Sequence, residues 1–359
     1  MKKEEKLRGI PKEGEVDAVY LWVDSNNSKF IKEKNYYSKK YKLNKYWSPT
    51  RDHNEILHSI KSVRKNMSWV RNIFVICPKG HKIFNLDEKK YDVKYINHEI
   101  LLGSENCPNY NSSTLELFQY KIPKLSEYFI AFNDDFFIVQ KVNLDDFFNF
   151  NTNKIKYYYE QRLQLGLPFS PTTSKIIQDY FPNEKYYFWM CHMPRMFNKN
   201  DLKEIVEKYK KDAEFTRASK FRNKKDIQLV YLYGYYLLAK NRGEFIFLEN
   251  ASSRSSKHLF KLLMDKMKIE GIIETLKQVY LQYFYIRKLV KNKQKSSKKI
   301  YSLINIDDDY VKNKEQIKYA LNNKIKFICL NDCYNTTDEK LKHDIMKENF
   351  EFFYNELDK

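Results

Sequence analysis

The chain of 359 residues contains few glycines, few cysteines and no long apolar run. It has only 8 Gly and neither a Gly-rich dinucleotide fingerprint nor a phosphate-binding loop, so side chains must bind any phosphate. The 5 cysteines are scattered without paired zinc spacing, which favours reduced thiols over a disulfide framework. No stretch reaches the roughly 18 apolar residues of a membrane span, and the N-terminal segment lacks the apolar centre of a signal peptide. We therefore expect a cytoplasmic protein.

The composition indicates a folded, strongly basic chain. Hydrophobic residues make up 42% of it and aromatic residues 16%, which is too apolar for disorder. Its 359 residues exceed what one core usually serves, so we expect one large α/β domain with an appended lobe, or two domains. The formal charge is 65 minus 46, or +19, and indicates a polyanionic partner: nucleic acid, an acidic membrane surface or a phosphorylated substrate. A basic run over 287–299 follows aromatic residues at 280–285. It is typical of a membrane-surface or strand-binding segment, or of a solvated helix followed by a basic linker.

Polar residues follow several predicted strands at the point where each strand ends. Asp24, the run Asn133-Asp134-Asp135 and Asp332 occupy such positions. The predicted strands cover 16–23, 72–77, 92–97, a run ending at 132, and 324–330. Helical patterns lie between them, and this alternation predicts a Rossmann-like, doubly wound, mostly parallel sheet. Its ligands would sit in the crevice at the carboxyl ends of the strands, where these polar residues would meet.

The Asn133-Asp134-Asp135 run interrupts an apolar segment and predicts a metal site. Adjacent carboxylates at the edge of a core are costly to desolvate unless they bind a cation or reach water. They suit a hard ion such as Mg²⁺ or Mn²⁺ that also binds substrate phosphates. The alternative is a solvated turn between two strands.

Two arginines and one histidine are further candidates. Arg51 precedes a helix predicted to begin at Asp52, with Glu55 in a capping box, and Arg222 precedes a helix predicted to begin near Asp226. A helix N-terminus favours anions, so either arginine is a candidate phosphate ligand, or simply packs on the preceding turn. His192 lies in a short segment with Arg195 close by, and is either functional or structural.

These residues occur in an ordered set that resembles the Stealth family of sugar-1-phosphate transferases. The matching segments, in chain order, are Asp17-Ala-Val-Tyr-Leu-Trp-Val-Asp24, 51–60 with 69–76, Asn97-His-Glu99, 110–113, 122–126, Phe132-Asn-Asp-Asp135, His192-Met-Pro194, Phe221-Arg222 with Asp226, and Phe327-Ile-Cys-Leu-Asn-Asp332. They are spread over most of the chain, which makes the set more specific than any one motif.

The resemblance implies a reaction and a set of roles. A sugar-1-phosphate would pass from a nucleotide-diphosphate sugar to a hydroxyl of a glycan acceptor, in capsular or cell-surface polysaccharide synthesis, with release of nucleoside monophosphate. Positioning and charge stabilisation dominate such phosphoryl transfer. The implied catalytic residues are Asp134, Asp135, His192 and Arg222, with Mg²⁺ or Mn²⁺ on the two aspartates. The implied substrate-binding residues are Asp24, Arg51, Asn54, Glu55, Asn133 and Asp332.

Two rival functions and four segments complete the prediction. A metal-dependent glycosyltransferase would use the same strand-end acids but release nucleoside diphosphate, and a non-catalytic polyanion- or membrane-binding protein would use the basic charge alone. We expect a lipid-linked or anionic polymeric acceptor, peripheral contact with the inner membrane surface, and no nucleic-acid partner.

The predicted segments are a nucleotide-sugar-binding α/β half over 1–150, an irregular and helical acceptor-side lobe over 151–270, a basic helical or linker segment over 271–323, and a C-terminal strand and helix over 324–359.

Overall fold

The computed structural model of the chain describes residues 8–43, 52–164, 170–182, 187–248, 295–296, 300–323, 325–332 and 338–357. Arg51 and most of the basic run over 287–299 lie outside these ranges. The strands are β1 Val16–Leu21, β2 Val70–Cys77, β3 Val93–Asn97, β4 Tyr128–Asn133, β5 Phe136–Ile138, β6 Phe148–Asn149, β7 Lys154–Gln164, β8 Tyr187–Met190, β9 Arg195–Asn198, β10 Gly243–Leu248, β11 Lys295–Ser296, β12 Tyr301–Ile306 and β13 Phe327–Asp332. The helices are α1 Ser28–Lys40, α2 Glu55–Asn66, α3 His98–Leu102, α4 Ser112–Phe118, α5 Pro171–Tyr180, α6 Lys199–Lys208, α7 Lys210–Ala218, α8 Leu229–Ala239, α9 Tyr310–Asn322 and α10 Glu339–Leu357.

The main sheet has the strand order β3-β2-β1-β4-β9. The first four strands are parallel, and β9 is antiparallel to β4. The apolar β1 and β2 are almost entirely buried, as expected for parallel strands covered on both faces. This topology confirms the predicted α/β class with a mostly parallel sheet.

Within the predicted acceptor-side lobe the structure has strands of a second sheet in addition to helices. Strand β7 pairs with β10, β6 and β8, and β11 extends the sheet beyond β10. Ile155, Tyr157 and Tyr159 alternate along β7 and are at most 3% exposed. Tyrosine side chains fill this core in place of aliphatic ones, and Tyr157 and Tyr159 leave almost no space around Gly234 of α8. A strand built on tyrosine has a weak hydrophobic pattern, because its core residues carry hydroxyl groups.

A third, small sheet joins the C-terminal part of the chain to the main one. Its order is β12-β13-β5, with β13 antiparallel to β5. Within the segment 271–323, predicted as basic helical or linker, the structure has β12 followed by helix α9. Tyr301, Ile304 and Ile306 of β12 are buried, which explains why this stretch is a strand.

Two predicted helix starts are displaced, and one predicted boundary remains a prediction. Helix α2 begins at Glu55 instead of Asp52, and α8 begins at Leu229 instead of near Asp226. The main apolar core contains residues of both the 1–150 and 151–270 segments, so the boundary between them is not a break in the core. Among the described residues, no helix is both long and apolar enough to cross a membrane.

Candidate active site at the carboxyl edge of the main sheet

Strands β1 and β4 end side by side and deliver their acids to one edge. Leu21 is opposite Asn133 in the parallel register, so Asp24 follows one strand end while Asp134 and Asp135 follow the other. The Asp24 backbone N–H donates to His81 Nδ1 over 3.1 Å, and its Oδ1 accepts from the Asn26 N–H over 2.9 Å. These bonds fix the loop after β1 at the edge where the crevice was predicted.

The loop before α2 brings two more carboxylates to the same edge. Asp52 Oδ2 accepts from Trp22 Nε1 over 3.3 Å, and its Oδ1 accepts from the Asn54 N–H over 2.7 Å. Glu55 Oε2 accepts from the His53 N–H over 2.6 Å. The two carboxylates cap the loop instead of the helix because Asn54 adopts a left-handed conformation (φ 65°) just before α2. We call Asp24, Asp52, Glu55, Asp134 and Asp135 the acidic cluster.

Burial, together with mutual repulsion, raises the pKa of three carboxyl groups of the acidic cluster. Burial, with the charges of Asp135 and Asp52, raises the pKa of Asp134 to about 7. Burial and the charges of Asp134 and Asp52 place the pKa of Glu55 well above its ordinary value. Burial also raises the pKa of Asp52, against the opposing hydrogen bonds from Asn54 and Trp22. A group of acids held this close is destabilised by its own charge unless a cation neutralises it.

His192 and Cys329 meet Asp135 on the other side of the β4 end. Because β9 runs antiparallel to β4 and Arg195 is opposite Ala131, the residues before β9 approach the residues after β4. The His192 ring packs edge-on against Phe136, with ring centres 4.9 Å apart. Cys329 is opposite Phe136 in the β13–β5 pairing, and its Sγ donates to Asp135 Oδ2 over 3.1 Å. Potential ligand atoms of Asp135, His192 and Cys329 all lie within 4.8 Å of one another.

The chemistry of these groups decides which of them suits a hard cation. Burial and the charges of Asp135 and Asp134 hold the pKa of the Cys329 thiol well above its ordinary value, so Cys329 is a protonated hydrogen-bond donor at neutral pH. A protonated thiol is not a ligand, and thiolates select softer metals than magnesium. The carboxylates of Asp134 and Asp135 are the groups here that fit Mg²⁺ or Mn²⁺. His192 is neutral, because burial and the neighbouring Arg195 lower its pKa to about 4.

Two arginines lie close enough to Glu116 to affect its charge. Arg222 is exposed and donates from Nε and Nη2 to Ser112 Oγ over 3.2 and 2.7 Å. Arg195 donates to the Cys191 carbonyl over 2.6 Å. Burial raises the pKa of Glu116, and the charges of Arg222 and Arg195 oppose that rise. Arg222 and Arg195 therefore both lie near Glu116, and the charge of Arg195 also lowers the pKa of His192.

The structure brings most of the predicted site residues to one edge but leaves some apart. Asn133 ends β4 within the site, and Asn54 lies in the loop that carries Asp52. Asp332 ends β13 and pairs through its backbone with Ile306, which is all the structure describes of it. Arg51 falls outside the described residues. The Glu55 side chain is only 8% exposed, so little of it can contact a substrate directly.

Sequence reasoning missed three residues that contribute to this site. Asp52 was interpreted only as a helix cap, Glu116 was not singled out as a site residue, and Cys329 was interpreted only as a scattered thiol. Asp52 could have been found, since it stands three residues before Glu55 in a polar segment that leads into an apolar helix. Cys329 could not, because only the pairing of β13 with β5 places it beside Asp135.

Comparison with known proteins identifies the family of the chain. Residues 49–156 match the model of Stealth protein conserved region 2, and residues 191–239 match Stealth protein conserved region 3. Among relatives, a capsular polysaccharide phosphotransferase of Haemophilus influenzae is 28% identical over 274 residues, 70% of this chain and 74% of the relative. One of Streptococcus thermophilus is 31% identical over 185 residues, 47% of this chain and 74% of the relative.

Solved structures give a much looser likeness. The galactosyltransferase LgtC aligns with a TM-score of 0.35 and 11% identity over 68% of this chain and 82% of its own, too little to establish a shared fold. The family regions are the firmer finding: they hold Asp52, Glu55, Asp134, Asp135, His192 and Arg222. By its conserved regions and its relatives, this chain belongs to the Stealth family.

Proposed function

We propose that this protein transfers a sugar-1-phosphate from a nucleotide-diphosphate sugar to a hydroxyl of a glycan acceptor in capsule or cell-surface polysaccharide synthesis. The acceptor oxygen forms a bond to the phosphorus that carries the sugar, and the bond from that phosphorus to the bridging oxygen of the diphosphate breaks. A phosphodiester results, and nucleoside monophosphate leaves. The names of the relatives, capsular polysaccharide phosphotransferases, support this class of reaction.

The acidic cluster is the observation that carries the proposal. A strand end with several carboxylates and a pKa of about 7 at Asp134 is an unfavourable arrangement for a protein without a cation. It becomes favourable when a divalent ion and a diphosphate share the edge. We assign Asp134 and Asp135 as the residues that hold Mg²⁺ or Mn²⁺. When bound, the ion supplies charge neutralisation for the diphosphate.

The other acids of the cluster then shape the donor site. Asp24 and Asn133 end neighbouring strands, and we propose that both contact the donor directly. Asn54 adopts the left-handed conformation just before α2, in the loop that carries Asp52, and we propose that it also contacts the donor. Glu55 is a positioning residue: through the His53 N–H it holds the loop that carries Asp52. For Arg51 and Asp332 we keep the proposed substrate role from the family resemblance alone.

His192 is our candidate for proton transfer. Its lowered pKa keeps the imidazole neutral, so one ring nitrogen can accept the proton of the acceptor hydroxyl as the new bond forms. The proton then passes to solvent. Arg195 and Arg222 supply positive charge near Glu116, and we propose that Arg222 compensates the phosphoryl oxygens, since its guanidinium is exposed and donates to the neutral Ser112 hydroxyl.

A product assay tests the proposal against the glycosyltransferase alternative. Purified protein with Mg²⁺, a panel of nucleotide sugars and a glycan acceptor should release nucleoside monophosphate and form a product whose phosphorus resonance is that of a diester. Release of nucleoside diphosphate with a phosphorus-free product would establish glycosyl transfer instead. The acceptor panel should include a lipid-linked oligosaccharide and an anionic polymer, because the basic charge of the chain favours either.

A further inference from the structure

The loop over 219–226, which carries Arg222, is hydrogen-bonded to the segment 109–114 at the start of α4. At one end of the loop, the Ser219 carbonyl accepts from the Asn109 side chain over 3.2 Å. The loop residues after 221 are mostly exposed, and Arg222 is one of them. An exposed arginine has many rotamers, so a fixed position requires neighbours that hold it. The start of α4 supplies these neighbours.

Asn111 is the centre of this junction and is fully buried. Its amide nitrogen donates to the carbonyl of Ser219 over 3.2 Å and to the carbonyl of Phe221 over 3.3 Å. The same nitrogen donates to Asp226 Oδ2 over 2.7 Å. The other side-chain atom, Oδ1, accepts from the Ser113 N–H over 3.1 Å and so caps α4. One buried side chain therefore ties both ends of the loop to the helix start.

Asp226 closes the loop from its buried side. Its side chain is 2% exposed, and its Oδ2 accepts from the Asn223 N–H over 2.6 Å as well as from Asn111. Burial raises the pKa of Asp226, and the hydrogen bonds from Asn223 and Asn111 and the charge of Arg222 oppose that rise. A buried carboxyl group is costly without such partners. Asp226 therefore links Asn111 to the residue that directly follows Arg222.

Ser112, the next residue after Asn111, holds the guanidinium itself. Arg222 Nε and Nη2 both donate to Ser112 Oγ, over 3.2 and 2.7 Å. Ser112 and Glu116 are four residues apart on α4 and share one face of the helix, which agrees with the effect of the Arg222 charge on Glu116. Because a guanidinium has further N–H donors, the bonds to Ser112 orient it and still leave it able to bind a phosphoryl group.

We propose that Asn111, Ser112 and Asp226 are positioning residues that hold Arg222 for the transferred phosphoryl group, an inference that rests on the proposed function. Asn111 and Asp226 fix the backbone of the loop, and Ser112 fixes the direction of the guanidinium, although Arg222 lies 110 residues later in the chain. Asn111 and Asp226 are too buried to contact a substrate, so their effect on turnover passes through Arg222. A charge that is already in position costs less to use when the transition state forms.

A double-mutant cycle tests the role of Ser112. Turnover is measured for Ser112→Ala in the wild-type background and in the Arg222→Ala background. In the first background we expect kcat to fall about tenfold, as for loss of a hydrogen bond to a charged group, at unchanged melting temperature. In the second background we expect no further loss, because the residue that Ser112 positions is absent. Ser113→Ala is the matched control and should keep wild-type kcat, since both Arg222 bonds end at Ser112.

Trypsin cleavage of the loop tests the role of Asn111 without requiring turnover. Asn111→Asp keeps a good helix cap but removes the amide donor and places a second carboxylate beside Asp226. Trypsin cleaves after lysine and arginine, and Arg222, Lys224 and Lys225 of the loop are exposed. We expect cleavage in this loop to be about tenfold faster in Asn111→Asp than in the wild type, because the loop opens more often. Asn111→Asp combined with Asp226→Asn pairs an amide with a carboxylate again and should restore part of the resistance and of the turnover.

Asn198→Asp is the matched control for Asn111→Asp. Asn198 is also a fully buried helix cap, but its amide donates to Glu127 Oε1 over 3.0 Å instead of to the 219–226 loop. Even if this control melts lower, its loop should be cleaved at the wild-type rate.

Two results overturn the inference. One is unchanged loop cleavage in folded Asn111→Asp, and the other is a change in turnover from Ser112→Ala that is the same with and without Arg222. Should Asn111→Asp fail to fold, the Ser112 cycle decides alone. If cycle and cleavage are as expected but the reaction releases nucleoside diphosphate, the inference stands and the proposed function fails.

Discussion

Replacement of Asp134 by asparagine should abolish transfer and stabilise the metal-free protein at the same time. Asp134 belongs to the proposed metal site, so its loss should reduce turnover below about 1% of wild type, as for removal of a group that binds developing charge. Its carboxyl group is also a source of repulsion within the acidic cluster. Asparagine keeps the size of the side chain and removes that charge.

The size of the stability effect follows from the pKa of Asp134. A rise from 3.8 to about 7 on folding corresponds to about 4 kcal/mol of lost folding free energy once the group is charged. Because the folded state holds the proton more tightly than the unfolded state, stability falls as pH rises from about 4 to about 7. We expect roughly half of that effect, about 2 kcal/mol, because the side chain is partly open to water and Asp135 remains charged.

The assay is thermal unfolding of both proteins in EDTA between pH 4 and pH 8, together with turnover in Mg²⁺. Asp134→Asn should melt higher than wild type at pH 8, and the difference should vanish near pH 4. Asp145→Asn is the control, since Asp145 is exposed and lies outside the site. A variant that melts lower than wild type at pH 8, or that retains full turnover, refutes the reasoning.

Four further predictions follow from the site and its surroundings. Chelation should abolish transfer, and Mg²⁺ or Mn²⁺ should restore it; full activity in EDTA would remove the metal from the reaction. His192→Ala should lower turnover strongly at unchanged melting temperature, and equal loss of both would indicate a structural histidine. Arg222→Ala should also lower turnover, with only partial recovery in Arg222→Lys because an ammonium cannot reproduce the planar fork; wild-type turnover in Arg222→Ala would exclude the role. Five lysines of the basic run over 287–299 should be neutralised together: Lys291, Lys293, Lys295, Lys298 and Lys299. This change should weaken salt-dependent binding to anionic vesicles and leave transfer to a short soluble acceptor unchanged. Unchanged vesicle binding would show that the basic run is only a linker.

The sequence was sufficient for the parts of the fold that depend on local pattern. Strands β1 to β4 are largely apolar runs that end near a polar residue or a proline, and the position of the acids after β1 and β4 follows from the parallel arrangement alone. The edge of the sheet that carries Asp24 and Asp134 was therefore predictable. The role of each acid was not, since it depends on which charges face it across the crevice.

What the sequence could not provide comes from contacts between distant segments. Cys329 reaches Asp135 only because β13 turns back along β5, and Glu116 lies near Arg222 only because α4 contacts the loop before α8. Strand β7 escaped detection because its buried positions are tyrosines.

Asp17 and Asp134 lie at opposite ends of the β1–β4 strand pair and show how a structural acid differs from a functional one. Asp17, near the amino end of β1, is fully buried and accepts hydrogen bonds from Arg71, Asn72 and Ser126. Burial alone would raise its pKa, but these donors, Arg71 foremost, lower it. Asp134 at the carboxyl end has acids as its neighbours, and its pKa is raised. The two groups therefore have opposite effects on stability as pH changes.

This contrast predicts how metal reshapes the pH dependence of stability. Acidification through the lowered pKa of Asp17 removes a stabilising contact, and alkalinisation toward pH 7 charges Asp134 against its neighbours. The metal-free protein should thus be most stable at mildly acidic pH. Mg²⁺ bound at Asp134 and Asp135 stabilises their charged forms, so it should extend maximal stability above pH 7. The loss of stability at acidic pH should not change, because Asp17 lies at the opposite end of the β1–β4 strand pair. Melting curves with and without Mg²⁺ that shift equally at pH 4 and pH 8 would show that the ion binds elsewhere.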